Sequence, residues 1–143
     1  MAINELGCAT HHGAAAKGAR GGMIVEWDGA TPVRLDGDHP RDEHEQAAYL
    51  RELLDIFDAE GVDAAFAYTF ACWHPPHRDG PRQDLDMASY GVVKVLEDRR
   101  GHAYPGMDRE PKVAFAALAD HYRGLGTRHH DPAAPALEHR GAR

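Results

Sequence analysis

Residues 41–70 read RDEHEQAAYLRELLDIFDAEGVDAAFAYTF, and the passage from the first half of this stretch to the second decides the fold. The first half predicts a helix. Asp42 is placed as its N-cap, with Glu45 three residues on, close to a capping box. Leu50, Leu53, Leu54 and Phe57 fall at i, i+3, i+4 and i+7, one apolar stripe. Gly61 stands where a left-handed C-cap is expected. The second half, VDAAFAYTF at 62–70, is a nearly continuous apolar run of strand length. Such a run predicts a strand buried on both faces, as in parallel sheets covered by helices.

Outward from this pair, the alternation continues. Residues 2–7, AINELG, predict a short strand with Glu5 near its exit. Residues 7–22 form a Gly- and Ala-rich loop with no period. In MIVEWDGATPVRL (23–35), two short apolar runs flank DGATP, an excursion or hairpin. Residues 71–89 are a long polar loop whose Pro and Gly exclude a helix through most of it. YGVVKVL (90–96) fits a strand or the start of a helix equally well. RRGHAYPGMDR (99–109) is a loop. EPKVAFAALADHYRG (110–124) predicts a second helix, with Pro111 near its first turn and a buried stripe of Phe115, Leu118, Ala119 and Tyr122. The order is strand, long loop, helix, buried strand, long loop, helix. That is an α/β chain of tandem β/α units with its long loops after the strands. Residues 1–123 make one domain, and 124–143 read as a disordered tail rich in His, Ala, Pro and Arg.

Composition narrows the classes. A chain of 143 residues has room for one domain. A net charge of -7 disfavours nucleic acid and anionic membrane, which need clustered Lys and Arg. No apolar run reaches the roughly 18 residues of a membrane span, and no secretory leader is recognised. A cytoplasmic location is therefore expected, with Cys8 and Cys72 reduced rather than bridged. Leu, Ile, Val and Phe together supply only 24 of 143 residues. Much of the remaining hydrophobicity is alanine, which buries little area. Such a chain folds marginally alone or folds with a partner.

Sites of α/β proteins lie at the carboxyl ends of parallel strands. Glu5 sits at the first such exit; Tyr68, Trp73, His74 and His77 cluster at the second. A carboxylate in an apolar strand is costly unless paired or used. Glu5 reads as a nucleophile or general base, or else as a hydrogen-bonded structural group. Tyr68 and Trp73 read as a stacking platform for a sugar ring, or as ordinary packing. His11, His12, His74 and His77, with Cys8 and Cys72, raise the question of a metal. The HPPH spacing does not set both imidazoles on one helix face, and there is no C-x-x-C, so no metal or other cofactor is expected. Asp84 and Asp86 read as caps or as ion-pair partners of a loop arginine such as Arg78 or Arg82.

Three stretches carry a family resemblance: INELGCAT (3–10), residues 36–70, and RQDLDMASYGVVKVLEDRRGHAYPGMDREPKVAFAALADHYR (82–123). Together they resemble the C-terminal end of bacterial proteins often labelled abortive phage infection proteins. Those proteins look like (β/α)8-barrel glycoside hydrolases of the retaining type. DLDMASYGVVK and the YPGM and EPK pieces are the most specific parts. The resemblance implies that INELG matches strand seven of eight, with Glu5 at the position of a catalytic glutamate. It implies that VDAAFAYTF is strand eight, with Tyr68, Phe70 and Trp73 where aromatics face the sugar.

A barrel of this kind takes about 250 residues, and the chain holds roughly its last quarter. Retaining hydrolysis needs two carboxylates about 5 Å apart, and nothing here matches strand four, which carries the acid/base in such barrels. Glu26 and Asp28 are candidates by residue type only. The resemblance therefore implies a C-terminal barrel fragment, inactive alone, completed by the missing barrel portion or covered by self-association. Two other readings stand beside it. One is a non-catalytic module that binds carbohydrate or protein through the aromatic loop. The other is a metal-dependent enzyme built on the His-rich loops.

Overall fold

The computed structural model describes residues 1–128. Strand β1 (Ala2–Leu6) leads through a short helix α1 (Ala14–Lys17) and a hairpin, β2 (Val25–Asp28) and β3 (Thr31–Leu35), into helix α2 (Glu43–Ala59). Strand β4 (Ala64–Ala67) follows at once. A second hairpin, β5 (Val93–Val95) and β6 (Arg109–Pro111), then precedes helix α3 (Val113–Arg128). β1 and β4 pair in parallel, Ala2 opposite Ala64 and Leu6 opposite Ala67. Both long excursions leave the carboxyl ends of these two strands, as the sequence predicts. Among the described residues the strands form three two-stranded sheets and no closed barrel.

α2 forms for the predicted reasons. The Asp42 carboxylate accepts from the Glu45 amide at 2.8 Å, and Glu43 and Glu45 place negative charge at the amino end of the helix dipole. Gly61, just past the end, has φ +67°, the left-handed region glycine enters without a Cβ penalty. Leu50 and Leu54 are buried against Leu6, Val92 and Leu118, with Leu53 and Phe57 packed beside them. This cluster is the principal core. A second, smaller one joins Ile24 and Leu35 of the first hairpin to Leu85 and Met87.

Three expectations need correction. The strand at 62–70 is not buried on both faces. Ala65 and Ala67 turn toward the helices, whereas Phe66, Tyr68 and Phe70 are 59 %, 49 % and 53 % exposed. α2 and α3 cover only one side of β4, and no second layer among the described residues covers the other. In α3 the buried stripe is Ala114, Ala117 and Leu118, with Phe115 half-buried and Tyr122 outward. Alanines take the contact because the helices approach closely there, Ala47 of α2 being fully buried as well. Pro111 lies near the first turn of α3 as expected: it ends β6 opposite Val93, and the helix starts two residues later. α3 also continues to Arg128, so residues 124–128 of the predicted tail are helical. The rest of that tail lies outside the described residues. The undecided segment 90–96 is extended, its centre forming β5.

Candidate functional site

Because β1 and β4 are parallel, their carboxyl ends open on the same side. Gly7 lets these exits approach: a Cβ there would lie 2.3 Å from the Tyr68 carbonyl oxygen. The Tyr68 amide in turn donates to the Leu6 carbonyl at 2.7 Å. The Tyr68–Thr69 peptide is cis. A groove of about 370 Å³ opens here, lined by Glu5, Tyr49, Leu53, Tyr68 and Tyr90 among others. The Tyr68 and Tyr90 rings stand 6.4 Å apart, tilted to one another. Tyr90 is fixed at its tip: its hydroxyl accepts from the Gly22 amide at 3.0 Å and donates to the Ala19 carbonyl at 3.2 Å. Glu5 is exposed, and no hydrogen bond or ion pair reaches its carboxylate among the described residues. None of the other groove residues is acidic. Glu26 is tied instead to Arg34 and Arg82 on the first hairpin.

The remaining expected site residues go elsewhere. Trp73 and His74 line a separate cleft beside Arg78 and Glu97. The Arg109 guanidinium lies over the Trp73 ring, 4.7 Å from its centroid, a cation–π stack. His77 turns inward, its Nδ1 3.0 Å from Asp84 Oδ1. The structure thus brings Glu5 and Tyr68 together and separates both from Trp73, His74 and His77.

His77 belongs to a buried charge network. Arg41 donates to Asp84 at 2.8 Å, to Asp86 at 2.9 Å and to Glu43 at 3.1 Å. Lys112, fully buried, reaches Asp86 at 3.0 Å and donates to the Thr10 hydroxyl at 2.7 Å. The network ties the exit of β1 to the start of both long helices. It replaces the Arg78 or Arg82 pairing expected for Asp84 and Asp86: the Arg78 side chain binds Glu97, and that of Arg82 binds Glu26 and the Leu35 carbonyl. One buried oxygen, Oδ1 of Asp86, has no hydrogen-bond partner among the described residues. Burial depresses the Lys112 ammonium against the pull of Asp86.

Burial alone would raise the Asp84 carboxyl, but hydrogen bonds from His77 and Arg41 outweigh it and hold the group below its ordinary 3.8. A carboxyl depressed in the folded state stabilises the fold above its unfolded value and loses that contribution as pH falls through the folded one. The urea midpoint is therefore expected to fall as pH drops below about 4. Asp84→Asn should flatten this dependence. An equally steep fall in the variant would place the acid sensitivity elsewhere.

The histidines near β1 hydrogen-bond within the fold. His11 is buried with both ring nitrogens against carbonyl oxygens, those of His12 and Gly21. His12, Asp42 and Glu45 converge, but Asp42 caps α2 and Glu45 accepts the Gly13 and Ala15 amides at 2.8 and 3.0 Å. Both cysteines are free. Burial pushes the Cys8 thiol up to about 11, with Glu45 adding to it, so it stays protonated. Among the described residues no helix is long and apolar enough to cross a membrane.

Compared with protein-family models and with curated proteins, the chain matches none.

Proposed function

We propose that this chain supplies the last two β/α units of a (β/α)8 barrel of the retaining glycoside hydrolase type, the kind attributed to bacterial abortive-infection proteins. In this reading Glu5 is the nucleophile and Tyr68 and Tyr90 flank the sugar. The observation that supports it most is the meeting of a free carboxylate and two tyrosines at the shared exit of adjacent parallel strands. The uncovered aromatic side of β4 supports it too. In this reading that side is the barrel lining, and further staves would bury Phe66. Double displacement needs a second carboxyl group about 5 Å from the first. The Glu5 groove has none among its lining residues, so the acid/base must come from the remaining units and the chain by itself is inactive. The sugar, and the link to phage defence, belong to the same proposal.

The test is turnover of aryl glycosides by this chain alone and by the chain joined to the polypeptide encoded in frame upstream. Activity is expected only in the joined form, and Glu5→Gln should abolish it. Turnover by the isolated chain, or an upstream frame without β/α units, would sink the proposal. The lack of a second acid in the groove also favours a binding module without chemistry. Sugar affinity unaltered by Glu5→Gln, with no turnover in either form, would select that reading.

A further inference from the structure

On the far side of β5 the molecule gathers positive charge. A pocket of about 150 Å³ is lined by His77, Lys94, Arg99, Arg100 and His102, with Glu110 as its one acid. In a chain whose net charge is -7, three permanent cations and two imidazoles line this one small cavity. The cavity is smaller than the roughly 300–1,000 Å³ of drug-sized sites. It has room for one compact charged group rather than a whole extended ligand.

The loop that carries these cations is held in shape. The Glu110 carboxylate accepts the amides of His102 and Ala103 at 2.7 and 3.0 Å. Gly101 permits the wrap, since a Cβ there would lie 2.3 Å from the Arg109 carbonyl oxygen and 2.6 Å from Glu110 Oε2. Glu110 is thus held by backbone donors, which keep its carboxyl below the ordinary range, and its single charge offsets one of the three permanent cations around it. Lys94 meets Glu43 only at 3.6 Å, and Glu43 already receives Arg41 and the Val113 amide. The acidic neighbours at the rim are Asp79, an exposed ion-pair partner of Arg99, and Asp98 and Asp108, which line the adjoining cleft. Exposed pairs of this kind are screened by water and contribute little. Arg100 makes one long contact, to the Gly106 carbonyl at 3.4 Å, which leaves most of its donors free.

We propose that this pocket binds a tetrahedral oxyanion, the phosphate or sulfate group of a substituted sugar or the free inorganic ion. Charge-assisted donors arranged around a small cavity suit such a group, and guanidinium forks suit it best. The pocket shares no lining residue with the Glu5 groove, so ion binding here and the catalytic fate of Glu5 are separable.

The experiment is calorimetric titration of the full chain with inorganic phosphate, at ionic strength held constant with chloride. Saturable binding is expected, weakened about tenfold by Arg100→Gln, as for the loss of one charge-assisted contact. His102→Gln should weaken it less. Arg51→Gln, an exposed change on α2, should leave it unaltered. Arg100 and His102 are exposed, so the variants keep the fold, checked by circular dichroism. A hexose 6-phosphate that binds more tightly than phosphate identifies a substituted sugar as the source; equal affinity identifies the free ion. The absence of saturable binding, or binding indifferent to both Arg100→Gln and His102→Gln, would overturn the proposal.

Discussion

Arg41→Ala is expected to lower the unfolding free energy by about 3 kcal/mol, the lower end of the cost of breaking a buried ion pair. Arg41 is partly exposed, which moderates the loss, but it serves three carboxylates at once. Without it, Asp86 keeps Lys112, and Asp84 keeps His77 and the Arg78 amide. A domain of this size has about 5–15 kcal/mol in all, and a chain poor in Leu, Ile, Val and Phe belongs near the lower bound. Arg41→Lys should recover only part of the loss, because an ammonium cannot reproduce the guanidinium fork. Urea titration followed by circular dichroism measures both. A loss below about 1 kcal/mol would mean that the network rearranges around the gap, as surface pairs do.

Gly7→Ala should be nearly as damaging, for a steric reason. The new methyl would meet the Tyr68 carbonyl oxygen at 2.3 Å and the Tyr90 ring at 3.1 Å. The first obstacle is backbone and cannot swing away, so β1 and β4 must part at their exits. Overpacking of this kind costs about 1–3 kcal/mol or more, and it opens the groove that holds Glu5. Gly106→Ala is the matched control, since a Cβ there meets nothing within 4 Å. Equal urea midpoints for the two variants would show that the exits are not in the tight contact described.

The parts of the fold that were legible were those set by local rules. The Asp42 cap, the Leu50–Leu54 stripe, Gly61 and the strand at AINELG depend on neighbours in sequence. The hairpin at 23–35 was one of the two readings open for DGATP between its apolar runs. What sequence did not disclose depends on partners far along the chain. The apolar density of VDAAFAYTF could not tell whether a second layer covers Phe66. Alanine's place in the α2–α3 contact was hidden because the expected stripe favoured larger side chains. The charge network was missed because Arg41 precedes Asp84 and Asp86 by more than forty residues. Its one local sign was the pair Asp84 and Asp86 in an apolar setting with Leu85 and Met87. In the same way, Glu5 and Tyr68 stood out singly, but only the parallel register of β1 and β4 places them in one groove.

The outer edge of β1 has no neighbouring strand among the described residues, and direction decides what can be added there. A stave completing a barrel must run the same way as β1. A second copy related by a two-fold axis can hydrogen-bond along that edge only in the opposite sense, and each copy then uses up the β1 edge of the other. Symmetric pairing through β1 therefore ends at a dimer, and a dimer so formed is barred from closing the cylinder.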